Sequence, residues 1–207
     1  MTDTPPPADA DRFPFVTVAT SMIIGLGLTQ VLGGIAKLIQ LQPPGRLHPE
    51  HVAWLLIVGV LHVQVWWTTY EARVATWTFG RFARYLLPPT LLYLMAELLV
   101  PDDNAERVHY ADYFAGVSRP FFALAAAFCV STWLDTTRNH AERRFAKSNL
   151  YRLVAALALL PASAIANPTY RTAITTVATG LLVLFLIARY GREGAGDGDQ
   201  AVTTWPS

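Results

Sequence analysis

The sequence is poor in the residues and motifs on which most soluble enzymes depend. It holds one cysteine and five histidines in 207 residues, and only 15% of its residues are charged. It contains no glycine-rich phosphate loop, no paired-histidine zinc helix, no nucleophile elbow and no repeated CxxC. We therefore predict no metal site, and no residue can be assigned a catalytic role from a motif.

The single cysteine and the balanced charge exclude further classes of function. Cys129 cannot form an intramolecular disulfide, and its neighbours FCVST include no group that would activate a thiol. We expect it to serve packing. A nucleic-acid partner would need a concentrated basic patch. The formal net charge of +1 gives no reason to expect one, so we expect no nucleic-acid partner.

Long apolar runs are what this chain has in abundance. Hydrophobic residues make up 53% of it, and they come in blocks of about twenty, enough to cross a hydrocarbon core of about 30 Å. Six blocks are predicted to span: 15–41, 51–70, 79–100, 111–134, 150–168 and 171–190. The lipid bilayer is thus the expected environment. We predict an all-α, polytopic transmembrane helical bundle that forms one domain over residues 15–190.

The regions outside the spans give an orientation. Residues 1–14 are expected to be a disordered, acidic and proline-rich lead without a signal-peptide pattern, and residues 191–207 a disordered tail. Six spans put both termini on one side, together with eleven of the sixteen basic residues. The positive-inside bias then predicts cytoplasmic termini. Anionic lipid headgroups are the expected partner of the basic loop after the fourth span, at Arg138, Arg143, Arg144 and Lys147.

A ridge of small and polar residues marks the first span. Its members are spaced four apart and are Thr17, Ser21, Gly25, Thr29, Gly33 and Lys37. Small residues at this spacing allow another backbone to approach closely, as in helix pairs inside bilayers. We predict that Ser21, Gly25, Thr29 and Gly33 pack against a partner helix.

His62, near the centre of the second span, is the first candidate functional residue, because ionisable residues inside a membrane commonly mark functional sites. It could ligate haem, relay a proton, orient a polar substrate or be a satisfied interior histidine. The other histidines lie at predicted interfaces or in loops, which disfavours bis-histidine haem ligation. We predict no cofactor. Gln30 should face protein, in an interhelical hydrogen bond or a substrate contact.

Three further candidates lie towards the predicted outer face. Glu97 is the only carboxylate that we place within the apolar part of a span, and Arg119 should lie at similar depth. Lys37 ends the first span on the same side. We predict a polar cluster of these three residues. It would act as an ion pair that fixes helix register, or as a ligand or proton site open to the outside.

Three stretches resemble a known group of proteins. GLGLTQVLGGIAKLI in the first span, HVQVWWTTYE closing the second and LLYLMAELLVP closing the third resemble small multi-spanning bacterial inner-membrane proteins of uncharacterised function. The resemblance covers about the first hundred residues. It implies a bacterial inner membrane as the location, and it implies no activity and no catalytic residue.

Three functions remain open from the sequence. The first is a non-enzymatic packing or interaction module, acting as a homo-oligomer or as a subunit with a membrane-protein partner. The second is a small transporter or channel whose polar path is lined by Gln30, His62, Glu97 and Arg119. The third is a membrane-embedded redox or lipid-modifying enzyme with His62 as ligand or base and Glu97 as acid–base partner.

Overall fold

The computed structural model describes residues 12–40, 48–71, 78–101, 109–138, 155, 157–160 and 167–190. Five helices lie in these ranges: α1 (Arg12–Ile39), α2 (Pro49–Glu71), α3 (Phe79–Leu99), α4 (Tyr110–Arg138) and α5 (Pro168–Tyr190). Residues 155 and 157–160 are helical too, and no strand occurs in the described part of the chain. The all-α prediction is confirmed. The ends of the five helices differ from the predicted ends by no more than four residues.

Several predictions concern residues outside this description. The lead up to residue 11, the tail 191–207, most of the fifth predicted span and the basic residues Arg143, Arg144 and Lys147 lie outside the described residues. Arg138 ends α4, but the position of its side chain is not described. The lipid-headgroup contact, the disordered tail and the disorder of residues 1–11 stay predictions. Residues 12–14, which we placed in the disordered lead, are instead the first residues of α1, since a helix tolerates Pro14 in its first turn.

Three of the described helices are long and apolar enough to cross a membrane: Pro14–Ile39, Pro49–Thr68 and Tyr110–Leu134. α3 is not among them, because Arg81, Arg84, Glu97 and the Pro88-Pro89 pair lower its hydropathy. The chain is therefore compatible with a membrane protein, but six spans are not confirmed.

The outward faces of these helices carry large apolar side chains. On α1, Phe15 is 70% exposed, Met22 66% and Leu32 63%. A contiguous apolar surface of this kind is unusual on a soluble monomer and is expected where a helix faces lipid or a partner.

The described helices fall into two units, the first containing α1 to α4 and the second containing α5. In the first unit α3 is the central helix, because it packs extensively against α1, α2 and α4. α1 also packs against α2. Pro88 and Pro89 lie within α3 and are buried, and the helix continues through them.

The buried side of α1 is a narrow stripe, which we call the inner seam. Its six members are spaced three or four residues apart and are buried: Val16, Thr20, Ile24, Gly27, Val31 and Gly34. Two glycines in the seam allow close approach. A Cβ on Gly34 would lie 2.8 Å from Val100 Cγ2, and a Cβ on Gly27 would overlap the imidazole of His62. These positions bring α1 against α2 and the end of α3.

Aromatic side chains fill the core between α2 and α4. The ring of Trp54 lies 5.1 Å from that of Phe121 and 5.5 Å from that of Phe122, both nearly edge to face. Phe114 packs 5.9 Å from Phe121. Edge-to-face pairs at these separations add stabilisation beyond the area that the rings bury.

Candidate functional site

His62 is fully buried, at 0% exposure, and lies on the side of α2 that faces α1. Its Nδ1 is 2.8 Å from the carbonyl oxygen of Val58, one turn earlier in α2. Since a carbonyl only accepts, Nδ1 carries the proton and donates it. Nε2 is buried and has no hydrogen-bond partner among the described residues.

The unbonded nitrogen of His62 lies against the backbone of α1. A Cβ built on Gly27 would overlap Nε2 and lie 2.8 Å from Cδ2, so only a glycine leaves room for the ring. In this arrangement His62 is an interior packing residue with one satisfied nitrogen.

Gln30 lies three residues after Gly27 in α1 and is half-buried. No described residue forms a hydrogen bond with its amide side chain, so the expected interhelical bond is not seen in the described part of the chain. Gln30 and His62 are not linked by a hydrogen bond.

Glu97 and Arg119 both lie on exposed surfaces of their helices. Within the described ranges no ion pair joins them, and neither contacts Lys37 through a salt bridge or hydrogen bond. Lys37 instead donates from Nζ to the carbonyl oxygen of Pro101. The structure does not bring the predicted three-residue cluster together. Similar depth, which stays a prediction, does not specify which way a side chain points around its helix.

The small ridge of α1 also faces outward. Gly25, Thr29 and Gly33 are exposed and Ser21 is half-buried. A Cβ added to Gly25 or to Gly33 would meet nothing within 4 Å. The Thr29 hydroxyl donates 2.8 Å to the Gly25 carbonyl oxygen of its own helix. Among the described residues, α1 packs through the inner seam rather than through the ridge.

Three side chains from three helices bind the carbonyl end of α3. Lys37 of α1 donates to Pro101 O at 2.6 Å, His51 Nε2 of α2 lies 2.6 Å from Leu99 O, and the Tyr113 hydroxyl of α4 donates to Leu98 O at 3.1 Å. We call Lys37, His51 and Tyr113 the carbonyl clamp. The last carbonyls of a helix have no partner within it, and a cation near them is favoured by the helix dipole. Leu98 O and Leu99 O are among the last carbonyls of α3, while Pro101 O lies two residues beyond the helix. The clamp supplies all three with a donor and ties four helix ends together.

His51 is the buried centre of the carbonyl clamp, at 1% exposure. Its ring packs 4.8 Å from the ring of Tyr110 and 6.3 Å from that of Phe114. Sequence reasoning placed His51 only at a predicted interface. The available signal is a hydrogen-bond donor in the first turn of α2. It would have indicated the clamp only if the start of α2 had been known to lie beside the end of α3.

We expect His51→Leu to destabilise the protein by about 1–3 kcal/mol, because it fills the same space but leaves the Leu99 carbonyl buried without a donor. Unfolding of the purified protein in a denaturing-detergent titration measures the change. His51→Gln is the matched control, since its amide can donate and should retain part of the stability. A leucine variant as stable as the parent would show that this bond contributes nothing.

The described residues contain no group of three His, Cys, Asp or Glu side chains arranged to hold a metal ion. A groove of about 310 Å³ lies between the end of α1 and the first half of α2. It is lined by apolar side chains only: Ile35, Leu38, Ile39, Val52, Leu55 and Leu56. None of the candidates Gln30, His62, Glu97 and Arg119 lines it.

No protein-family model matches the chain, and no curated protein and no solved structure compared with it does so either. The resemblance of the first three spans to small bacterial inner-membrane proteins therefore stays a prediction. The functional argument rests on the geometry of the chain itself.

Proposed function

We propose that this protein is a non-enzymatic interaction module of a bacterial inner membrane, with six spans and both termini in the cytoplasm. The three apolar helices support the membrane setting. The placement of eleven of sixteen basic residues on the side of the termini supports the orientation. On this proposal the basic loop at Arg138, Arg143, Arg144 and Lys147 binds anionic headgroups.

The observation that carries the interaction role is the outward position of residues that a lipid-facing surface disfavours. Arg119 and Glu97 are exposed on α4 and α3, and the small residues Gly25 and Gly33 are exposed on α1. The cost of a charged side chain inside a membrane helix is largest at the centre, where insertion scales give about 2.5–3.5 kcal/mol. Covering these faces with another membrane helix removes that cost, and small residues let the helix come close.

The interior supports the same proposal, because several of its polar side chains bond to carbonyl oxygens of their own helix. Thr20 and His62 hydrogen-bond to carbonyls four residues earlier, and Ser118 to a carbonyl three residues earlier. Their neighbours in the described core are aliphatic and aromatic side chains. Such a core is typical of a stable scaffold that binds partners through its outer faces. The proposal invokes no cofactor.

The mass of the protein extracted together with its surrounding membrane, in polymer-bounded lipid discs, tests this function. Native mass spectrometry should find assemblies heavier than the 22.8 kDa chain. A homo-oligomer and a complex with a different membrane protein both support an interaction module. A population made only of single chains, at the expression level of the natural host, would contradict it.

A further inference from the structure

We propose that a second copy of this chain docks on the outward face of α3 and α4, where Glu97 of each copy pairs with Arg119 of the other. This inference rests on the proposed function, since it names the partner of the interaction module. The pairing is self-complementary, as a two-fold interface requires, because the Glu97–Arg119 contact forms twice, once in each direction between the copies.

Arg119 is a charged side chain for which the described residues offer no ion-pair or hydrogen-bond partner. It lies nine residues after Tyr110, where the apolar segment Tyr110–Leu134 begins, which corresponds to about 14 Å along the helix. Its side chain is exposed, and no described residue forms an ion pair or hydrogen bond with it. A charge at that depth is stable only when an opposite charge or polar group covers it.

Glu97 is the acidic residue that fits this need. α1 and α5 contain no acidic residue. In the other described helices Glu50 and Asp112 lie in first turns, while Glu71 is the last residue of α2. Asp135 lies beyond the apolar segment of α4. Glu97 lies within a predicted span and is exposed, and no described residue forms an ion pair with it. Asp112 is exposed too, but it lies in the first turn of α4, seven residues before Arg119. Charge complementarity therefore favours a second copy over an apolar partner.

The depths of the two side chains are compatible. The bond from the Tyr113 hydroxyl to Leu98 O places the residue next to Glu97 level with the outer turns of α4. Arg119 lies six residues further along α4, about 9 Å deeper. Side chains on a helix lean towards its N-terminus, so on these antiparallel helices Arg119 leans outward and Glu97 inward. The two charged ends therefore converge in depth.

The face around Arg119 is also shaped for close approach. Gly116 and Ala123 lie three residues before it and four residues after it, on the same side of α4, and both are exposed. Ala127 continues the stripe and is exposed as well. Without large side chains beside the guanidinium, a neighbouring helix can come near enough for its carboxylate to reach Arg119.

Charge reversal with two differently tagged copies tests the pairing. Glu97→Arg alone and Arg119→Glu alone each place like charges at both contacts of a homodimer. Each change should therefore raise the dimer dissociation constant in lipid vesicles by about tenfold or more. Co-expression of the two variants should restore dimers, because one copy then contributes two arginines and the other two glutamates.

This rescue separates pairing between copies from pairing within one copy, since each single variant carries like charges in its own chain. Arg84→Glu, which reverses an exposed charge at the other end of α3, is the control and should leave dimerisation unchanged. If a charge-reversal variant does not accumulate in the membrane, the neutral variants Glu97→Gln and Arg119→Gln are used instead. Each of them should also raise the dimer dissociation constant.

Two results would overturn the inference. If the single variants dimerise as well as the parent, the dimer uses another face. If dimers do not form when the two variants are co-expressed, Glu97 and Arg119 do not meet. If the parent is a single chain in vesicles but is found in a complex with a different protein in its own membrane, the second copy is excluded while the interaction role stands. A single chain in both settings contradicts both.

Discussion

Replacing Trp54 with alanine should cost about 3–5 kcal/mol of folding free energy, the largest effect we expect from one substitution. Trp54 is 3% exposed and contacts Phe121 and Phe122 across the interface between α2 and α4. Its removal leaves a cavity beside the two phenylalanine rings, and their dispersion contacts with the indole are lost. Equilibrium unfolding in a denaturing-detergent titration measures the change.

Trp66 offers a matched control on the same helix. It is 53% exposed, so Trp66→Ala removes the same side chain without opening a cavity in the core. We expect its effect on unfolding to stay within about 0.5 kcal/mol, as for surface substitutions elsewhere. Equal losses in the two variants would contradict the described packing of α2 on α4.

Replacing Gly27 with alanine should destabilise the protein by about 1–3 kcal/mol, because one methyl group has no room beside His62. The imidazole cannot simply move aside, since it is fully buried and its Nδ1 donates to the Val58 carbonyl oxygen. The same detergent titration reports the loss. Adding His62→Ala to the variant should recover part of it, because the double change relieves the overlap and the two effects are then not additive.

Gly25→Ala is the control for that prediction. Gly25 lies two residues away in the same helix, and a Cβ there meets nothing within 4 Å. Alanine should be neutral or stabilising by up to about 1 kcal/mol, since it forms helix better than glycine. A destabilised Gly25→Ala monomer with an unaffected Gly27→Ala variant would reverse our assignment of the inner and outer faces of α1.

The helices could be predicted from the sequence, but the faces they bury could not be read from residue size. At 3.6 residues per turn, each step of four residues advances about 40° beyond a full turn. The ridge from Thr17 to Lys37 therefore winds through about 200° and cannot face one partner along its length. The inner seam combines steps of three and four residues. From Val16 to Gly34 the helix makes about five full turns. The ends of the seam thus share one face.

The direction in which the charged candidates point around their helices could not be predicted from the sequence either. Distance from a helix end gives an expected depth, so the sequence could predict only that Glu97 and Arg119 lie in one half of the membrane. Whether they meet in one chain depends on how α3 and α4 rotate about their axes, which depth does not specify. The carbonyl clamp was equally hidden, because its acceptors are backbone atoms.

The central claim is that polar residues predicted for an internal path lie instead in packed or outward positions. The most direct measurement is the reaction of single cysteines at positions 30, 62, 97 and 119 with a water-soluble thiol reagent, in vesicles and a Cys129→Ala background. Loop cysteines on each side serve as controls for the orientation. We predict that position 62 stays unreactive from both sides and that no two of the four sites react from opposite sides. Reaction at all four positions would contradict the account and favour a small transporter or channel.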